Sequence, residues 1–258
     1  MQKQGFSLVE LSIVLVILGL LTGGILTGQN LIRAAELRSV TTEFQKYQTA
    51  VMTFRDKYFY LPGDMPNATD FWGAMTSCSW TMSTPSIDAN TCNGDGDGNI
   101  KPSTKSNEYY RFWQHLANSG MIEGSYTGVN GAGTVSYDSV IGVNAPASRL
   151  GSAGWAMHAP LVADGAHTSH FSGAYTHRLL FGADVEDGSL EKAILTPEEA
   201  WGIDTKVDDG RPGAGKIRTH KHSSTTQANC ASTDDHVTAT YSLSNQSVSC
   251  GLVTLPGW

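Results

Sequence analysis

The sequence predicts an α+β protein in which one long N-terminal helix packs on a C-terminal globular domain of short antiparallel strands and long loops. Three observations point there. Residues Leu11 to Leu26 form an uncharged apolar run near the N-terminus. From Leu37 to Tyr58 apolar residues recur at helical spacing. The remaining chain, roughly two hundred residues and one domain by length, is rich in Gly, Ser, Thr and Asn with only short apolar runs.

The elements follow in order. Met1 to Gly5 is a short polar leader whose only basic side chain is Lys3. Residues 6–28 form a hydrophobic segment long enough to span a bilayer when Phe6 to Val9 are counted and Glu10 is tolerated; a span needs about 20 apolar residues. A secretory signal peptide fits less well, because no Ala-x-Ala site follows the apolar run. Gly23, Gly24 and Gly28 soften the helix, since glycine in a helix interior costs up to about 1 kcal/mol relative to alanine; they also allow close helix approach. Residues 29–58 continue as an amphipathic helix. Leu37, Val40, Phe44, Tyr47, Val51, Phe54 and Tyr58 make its apolar stripe, and Arg38, Glu43, Lys46, Arg55 and Lys57 fall elsewhere. Leu61-Pro-Gly-Asp64 ends it. The rod from Phe6 to Tyr58 is about 80 Å long at 1.5 Å per residue.

Glu10 is the most informative residue. A carboxylate in hydrocarbon costs several kcal/mol, so its presence at the head of an apolar helix indicates a partner. Gly5-Phe-Ser-Leu-Val-Glu10 resembles the cleavage and methylation motif of type IV prepilins and type II secretion pseudopilins. The resemblance covers roughly the first tenth of the chain and is specific. It implies that a prepilin peptidase cuts after Gly5 and methylates the new amine of Phe6. It further implies a pilin-like fold and assembly into a filament, with Glu10 neutralising the N-terminal amine of a neighbouring subunit. A pairing within one helix is equally compatible with the four-residue spacing of Phe6 and Glu10. Gly19 stands where the family commonly has glycine. Thr27 departs from the pattern, since many members carry a helix-kinking proline there.

In residues 59–258, the head, Arg178-Leu-Leu-Phe181 and Lys192-Ala-Ile-Leu195 read as short strands. Arg111 to Ala117 reads as a short helix starting near Asn107. Thr196-Pro-Glu-Glu199 is a capping box with proline at the first helical position, opening a helix through Trp201, Ile203 and Val207 that ends at Asp208-Asp209-Gly210.

Four cysteines in an exported, loop-rich domain favour disulfides over zinc, for which no Cys-x-x-Cys spacing exists. Of three connectivities the local one, Cys78–Cys92 with Cys230–Cys250, is expected, because each pair brackets a loop rich in small polar residues. The resemblance supports it, since many pilins carry a C-terminal disulfide loop.

After Cys92 the chain reads Asn93-Gly-Asp95-Gly-Asp97-Gly98-Asn99-Ile100. Oxygen ligands at alternate positions, glycine sixth and an apolar residue eighth match two-thirds of an EF-hand-like calcium loop. The expected ligands are Asn93, Asp95, Asp97 and the carbonyl of Asn99. Thr104 stands at the twelfth position in place of the bidentate glutamate, so Glu108 or another segment would complete the sphere. The alternative is an ordinary Asx and glycine turn.

Catalytic signatures fail on inspection. Gly210 to Lys216 nearly matches a phosphate loop, but Ile217 replaces the hydroxyl residue and an Asp-Asp turn precedes it. Gly151-Ser152-Ala-Gly154 lacks the glycine a nucleophile elbow requires. His167, His170, His177, His220 and His222 lack a metal-binding helix motif, and the tryptophans read mainly as core. Sequons at Asn67 and Asn245 matter only in a glycosylating host. A net charge of −7 gives no support for nucleic-acid binding.

The sequence therefore describes a non-enzymatic filament subunit. Its expected partners are other pilins, the prepilin peptidase, an inner-membrane assembly platform and the membrane itself. The precursor would sit in the inner membrane with a periplasmic head, then move into a periplasmic pseudopilus or an extracellular pilus. The alternative is a minor pilin whose large head binds a surface or a secreted substrate.

Overall fold

Period and capping decide where the helices lie. In the computed structural model, which describes residues 7–76, 78, 90–101, 108–131, 138–163, 167–185, 188–224 and 227–258, one helix, α1, runs unbroken from Leu8 to Tyr58. It passes through Gly23, Gly24 and Gly28 without a break. There Thr22 and Thr27 donate their hydroxyls to the carbonyls of Leu18 and Gly23 at 2.9 Å. The helix stops at Phe59, which adopts a left-handed φ of 63° and donates its N–H to the Arg55 carbonyl at 2.8 Å. This is the position usually given to glycine.

The two halves of α1 meet different surroundings. Apolar side chains from Leu8 to Ile32 are exposed. Beyond them the stripe turns inward: Val40, Phe44, Tyr47, Val51 and Phe54 are buried, and Leu37 and Tyr58 pack partly against the same core. Opposite lies helix α3, Glu108–Asn118, and a sheet of β1 (Ala153–His158), β4 (Arg178–Ala183), β6 (Leu252–Thr254) and β5 (Ile217–Arg218). Its strand order is β1-β4-β6-β5, all antiparallel, with Trp155 opposite Phe181 and Phe181 opposite Leu252. β2 (Leu161–Ala163) and β3 (Gly173–Tyr175) form a separate ribbon.

The core is largely aromatic. Tyr47 meets Trp113 edge-on at 5.0 Å and Trp155 at 5.7 Å, and Trp155 lies 4.7 Å from Phe181. Edge-to-face pairs of this kind add about 0.5–1.5 kcal/mol beyond area burial. Glu43 on α1 accepts from the Trp155 indole at 2.8 Å and from the Arg149 N–H at 2.9 Å, so the helix is fixed to the sheet by polar bonds as well as by packing.

The Thr196 capping box forms as read: Thr196 and Glu199 exchange bonds at the start of α4, Pro197–Val207, which ends at Asp208. Trp201, at 41%, lies on its solvent side. Arg178 to Phe181 becomes β4. The 192–195 run is held by single bridges, Lys192 to Ala183 and Leu195 to Cys250, so its ends pair without a continuous ladder. Cys78–Cys92 and Cys230–Cys250 are the two pairs at disulfide distance, with Cα separations of 5.8 and 5.1 Å. Short α2, Ala68–Trp72, packs its Trp72 on Phe54 and Tyr58 near the end of α1.

Candidate functional site

Two regions concentrate chemistry that the fold does not require. The first is the start of α1. Ser7 is its N-cap: the hydroxyl accepts from the Val9 N–H at 3.3 Å, and the Glu10 carboxylate accepts from the Ser7 N–H at 2.8 Å. Glu10 is thus the acidic member of a capping box. It satisfies an orphan amide and sits at the positive end of the helix dipole. Serine followed three residues later by glutamate before an apolar run was a readable signal for this role. Gly5 and Phe6 lie outside the described residues. Among the described residues, α1 is the one helix long and apolar enough to cross a membrane.

The second region is the loop after Cys92. Its path brings Gly94 so close to the preceding segment that a Cβ there would lie 2.3 Å from the Asp64 carbonyl carbon. Glycine at this point lets the loop wrap Asp64. The N–H groups of Gly96, Asp97 and Gly98 donate to the buried Asp64 carboxylate at 2.8, 3.1 and 2.9 Å. Gly98, sixth from Asn93, has a φ of +83°, as a tight metal loop needs there. Ile100 is buried and donates its N–H to His177 at 3.0 Å.

Carboxylate oxygens of Asp64, Asp95 and Asp97 lie within 4.8 Å of one another. Asp64 comes from a different stretch of chain and was not among the residues the motif singles out. Asn93 points elsewhere, its side-chain oxygen accepting from the Thr69 N–H at 2.9 Å. The Asn99 N–H donates to Asp97 at 2.8 Å. Glu108 supports the loop from behind, accepting from the N–H groups of Asp95 and Lys101 at 3.2 and 3.0 Å. Thr104 lies outside the described residues. The Lys101 ammonium contacts Asp95 at 3.1 Å and also pairs with Asp97.

Electrostatics mark the loop as crowded with negative charge. Burial pushes Asp64 up to about 6, against the pull of its Gly98 and Gly96 N–H bonds and with help from Asp95 and Asp97. Burial likewise raises Glu108 to about 7, with smaller contributions from Asp95 and Asp64. The carboxylates are hard oxygen donors, which would hold calcium rather than a soft metal, and the Lys101 ammonium already pairs with two of them.

Other candidates resolve into structure. Among the described residues the second carboxylate group at metal-ligand distance is Asp204, Asp208 and Asp209. Buried Asp204 accepts from the Tyr241 hydroxyl at 2.8 Å and the Gly210 N–H at 3.2 Å. Asp208 accepts from the N–H groups of Lys216 and, at 3.2 Å, Ile217. The glycine-rich 210–217 loop therefore already holds an anion of its own chain where a phosphate loop would hold its ligand. His170 packs between His167 and His220 at ring distances of 4.8 and 4.9 Å, while His222 bonds the Ala231 carbonyl. Trp113 and Trp155 are core, and Trp80 and Asn107 lie outside the described residues.

No curated protein and no solved structure matches the chain. Residues 1–26 match the family described as Prokaryotic N-terminal methylation motif. Over those residues, continuing directly into the exposed apolar half of α1, the chain carries the signature of type IV pilins and pseudopilins.

Proposed function

We propose that this chain is a structural subunit of a type IV pilus-like or type II secretion pseudopilus filament. One observation carries the reading: an apolar half-helix that the protein's own head leaves uncovered, opening with the methylation signature. An exposed apolar surface of this extent requires a bilayer or other copies of the same helix. In this reading the precursor sits in the inner membrane with its head on the periplasmic side. The prepilin peptidase removes Met1 to Gly5 and methylates Phe6, and an assembly platform moves the helix into the filament core.

Glu10 supplies the recognition chemistry. Cleavage leaves a cationic amine on Phe6, and an unpaired charge in hydrocarbon is costly. The Glu10 carboxylate of an incoming subunit neutralises that amine on its neighbour. Its bond to Ser7 holds the side chain at the helix tip, where such a neighbour would meet it.

The head carries a calcium site in the same proposal, with Asp95, Asp97 and the carbonyl of Asn99 as ligands and Asp64 joining them from the facing segment. Asn93 contributes only by leaving Thr69. When bound, calcium neutralises the loop's excess negative charge and ties it to the end of α1.

N-terminal mass spectrometry of filament or membrane material tests the central claim. The expected terminus is N-methylated Phe6. A terminus at Met1, or after Leu26, overturns it.

A further inference from the structure

We infer, resting on the reading of the 93–99 segment as a calcium loop, that Lys101 is its resident counter-cation: the ammonium bridges Asp95 and Asp97 in the metal-free protein and must leave before calcium enters. Counted from Asn93, Lys101 is the ninth residue, where loops of this pattern supply an oxygen ligand, often through water. Here the ninth residue supplies a positive charge instead. Its backbone is fixed on both sides, since the Lys101 N–H donates to Glu108 at 3.0 Å and the neighbouring Ile100 N–H donates to His177 at 3.0 Å. The side chain therefore springs from a set point and reaches two carboxylates that belong to the metal ligand set.

Two consequences follow from charge balance. Without calcium, Asp95 and Asp97 are not left facing each other uncompensated, so the loop keeps its shape. With calcium, the ammonium and the ion repel and compete for the same oxygens, which weakens binding. Lys101 is free to leave, because its side chain is 37% exposed and has water on its outer side. Asp95 and Asp97 are themselves exposed, so a cation reaches them directly from solvent. Lys101 thereby sets the calcium concentration at which the loop loads, keeping the site empty until the ion is abundant.

Calorimetric titration of the full-length protein in detergent with calcium chloride tests this, comparing wild type with Lys101→Met and Lys101→Gln. Both variants should bind calcium about tenfold more tightly than wild type, as removal of two exposed ion pairs allows. In chelator both should melt below wild type, and in saturating calcium the difference should close. Tighter binding by the variants where wild type shows none supports the inference equally. Should wild type bind while the variants bind no better, Lys101 is a structural residue and the inference falls, with the calcium reading intact. Should no form bind up to about 10 mM calcium, beyond the range of weak extracellular sites, the calcium reading fails and the inference with it.

Discussion

Arg33 and Glu199 form a bidentate pair across 166 residues of sequence, with Nε to Oε1 at 2.6 Å and Nη2 to Oε2 at 2.8 Å. Arg33 lies just past the run of large exposed apolar residues from Leu8 to Ile32, so the pair marks where the helix first engages the head. Glu199 does two things at once, since its Oε2 also accepts from the Thr196 N–H at 3.0 Å and caps α4. Burial pushes the Glu199 carboxyl up, and the Arg33 and Thr196 bonds outweigh it, leaving the group below its ordinary value. A carboxyl lowered on folding stabilises above its unfolded pKa of ~4.3 and loses that contribution as pH falls through the folded value. Arg33→Met should cost about 1 kcal/mol or less, because the pair is partly solvated. Glu199→Ala should cost more, about 1–2 kcal/mol, because a cap is lost as well. Melting curves at pH 7 should rank the variants in that order and converge toward acid.

Glu10→Val should leave membrane insertion intact, because it removes a carboxylate from an apolar segment. Filament yield should drop to a small fraction of wild type while the membrane-bound pool is unchanged. Immunoblots of sheared and membrane fractions separate the two. Wild-type filament yield would refute the intermolecular pairing.

Calcium binding to the folded state alone raises stability by mass action. At a concentration about ten times the dissociation constant, the protein should melt roughly 3–6 °C higher than in chelator. Asp95→Ala combined with Asp97→Ala should abolish the shift. Magnesium should do little, because it demands a compact octahedral set that these carboxylates do not provide. Differential scanning calorimetry of wild type in chelator, calcium and magnesium, and of the double variant in chelator and calcium, checks the set.

Asp204 and the buried histidines should tilt stability against pH in opposite directions. Burial pushes Asp204 up to about 7 despite its bond from Tyr241. The folded state therefore retains a proton that the unfolded chain gives up above ~3.9, and stability falls as pH rises from ~4 to ~7. Asp204→Asn should match wild type near pH 4 and exceed it at pH 8 by on the order of 2–4 kcal/mol. Burial also lowers His158 and His220 to about 3. The unfolded imidazoles take up protons below ~6.5 while the folded ones stay neutral, so these groups remove stability as pH falls from ~6.5 toward ~3. With Asp204 replaced, the loss of stability toward pH 8 in urea titrations run from pH 4 to 8 should shrink to what the other raised carboxyls, Asp64 and Glu108 among them, contribute, while the acid-side loss is unchanged.

His170 offers a separate check. Both of its ring nitrogens are buried without a hydrogen-bond partner. Replacing an unsatisfied buried polar group with an apolar one of similar shape is neutral or favourable. His170→Leu should be at least as stable as wild type at pH 7, measured by urea denaturation. A loss above about 2 kcal/mol would show that the imidazole is held by more than packing.

The sequence made the stem legible because its signals are local and periodic. Val40, Phe44, Tyr47, Val51 and Phe54 announce the buried face by spacing alone, and Thr196-Pro-Glu-Glu199 announces α4 by its caps. The acidic loop was half legible. Asp95 and Asp97 lie in a readable pattern, but Asp64 reaches them from about thirty residues upstream, a contact set by the close passage at Gly94 that no local rule encodes. Lys101 was visible as a residue and invisible as a partner, because its reach depends on Glu108 fixing its backbone. The sheet was the least legible part: β4 finds β6 at Leu180 and Val253, seventy-three positions apart, through strands too short to show alternation. At Lys192 to Leu195 an apolar run resembles a strand but meets its neighbours only at its ends.

The unbroken course of α1 has a mechanical consequence. Glu43 and Arg33 fasten the upper helix to the head, and the helix runs on unbroken through Gly23 to Gly28 into its lower half. Glu10 stands about 35 Å below Arg33 along that axis. Whatever grips the lower end therefore sets the compass bearing of the head: turning the stem by one residue's worth of helix swings the outer loops through about 100°. Which face of the head looks outward is then decided by the orientation of the stem in its hydrophobic surroundings, as a key's bit is aimed by its bow.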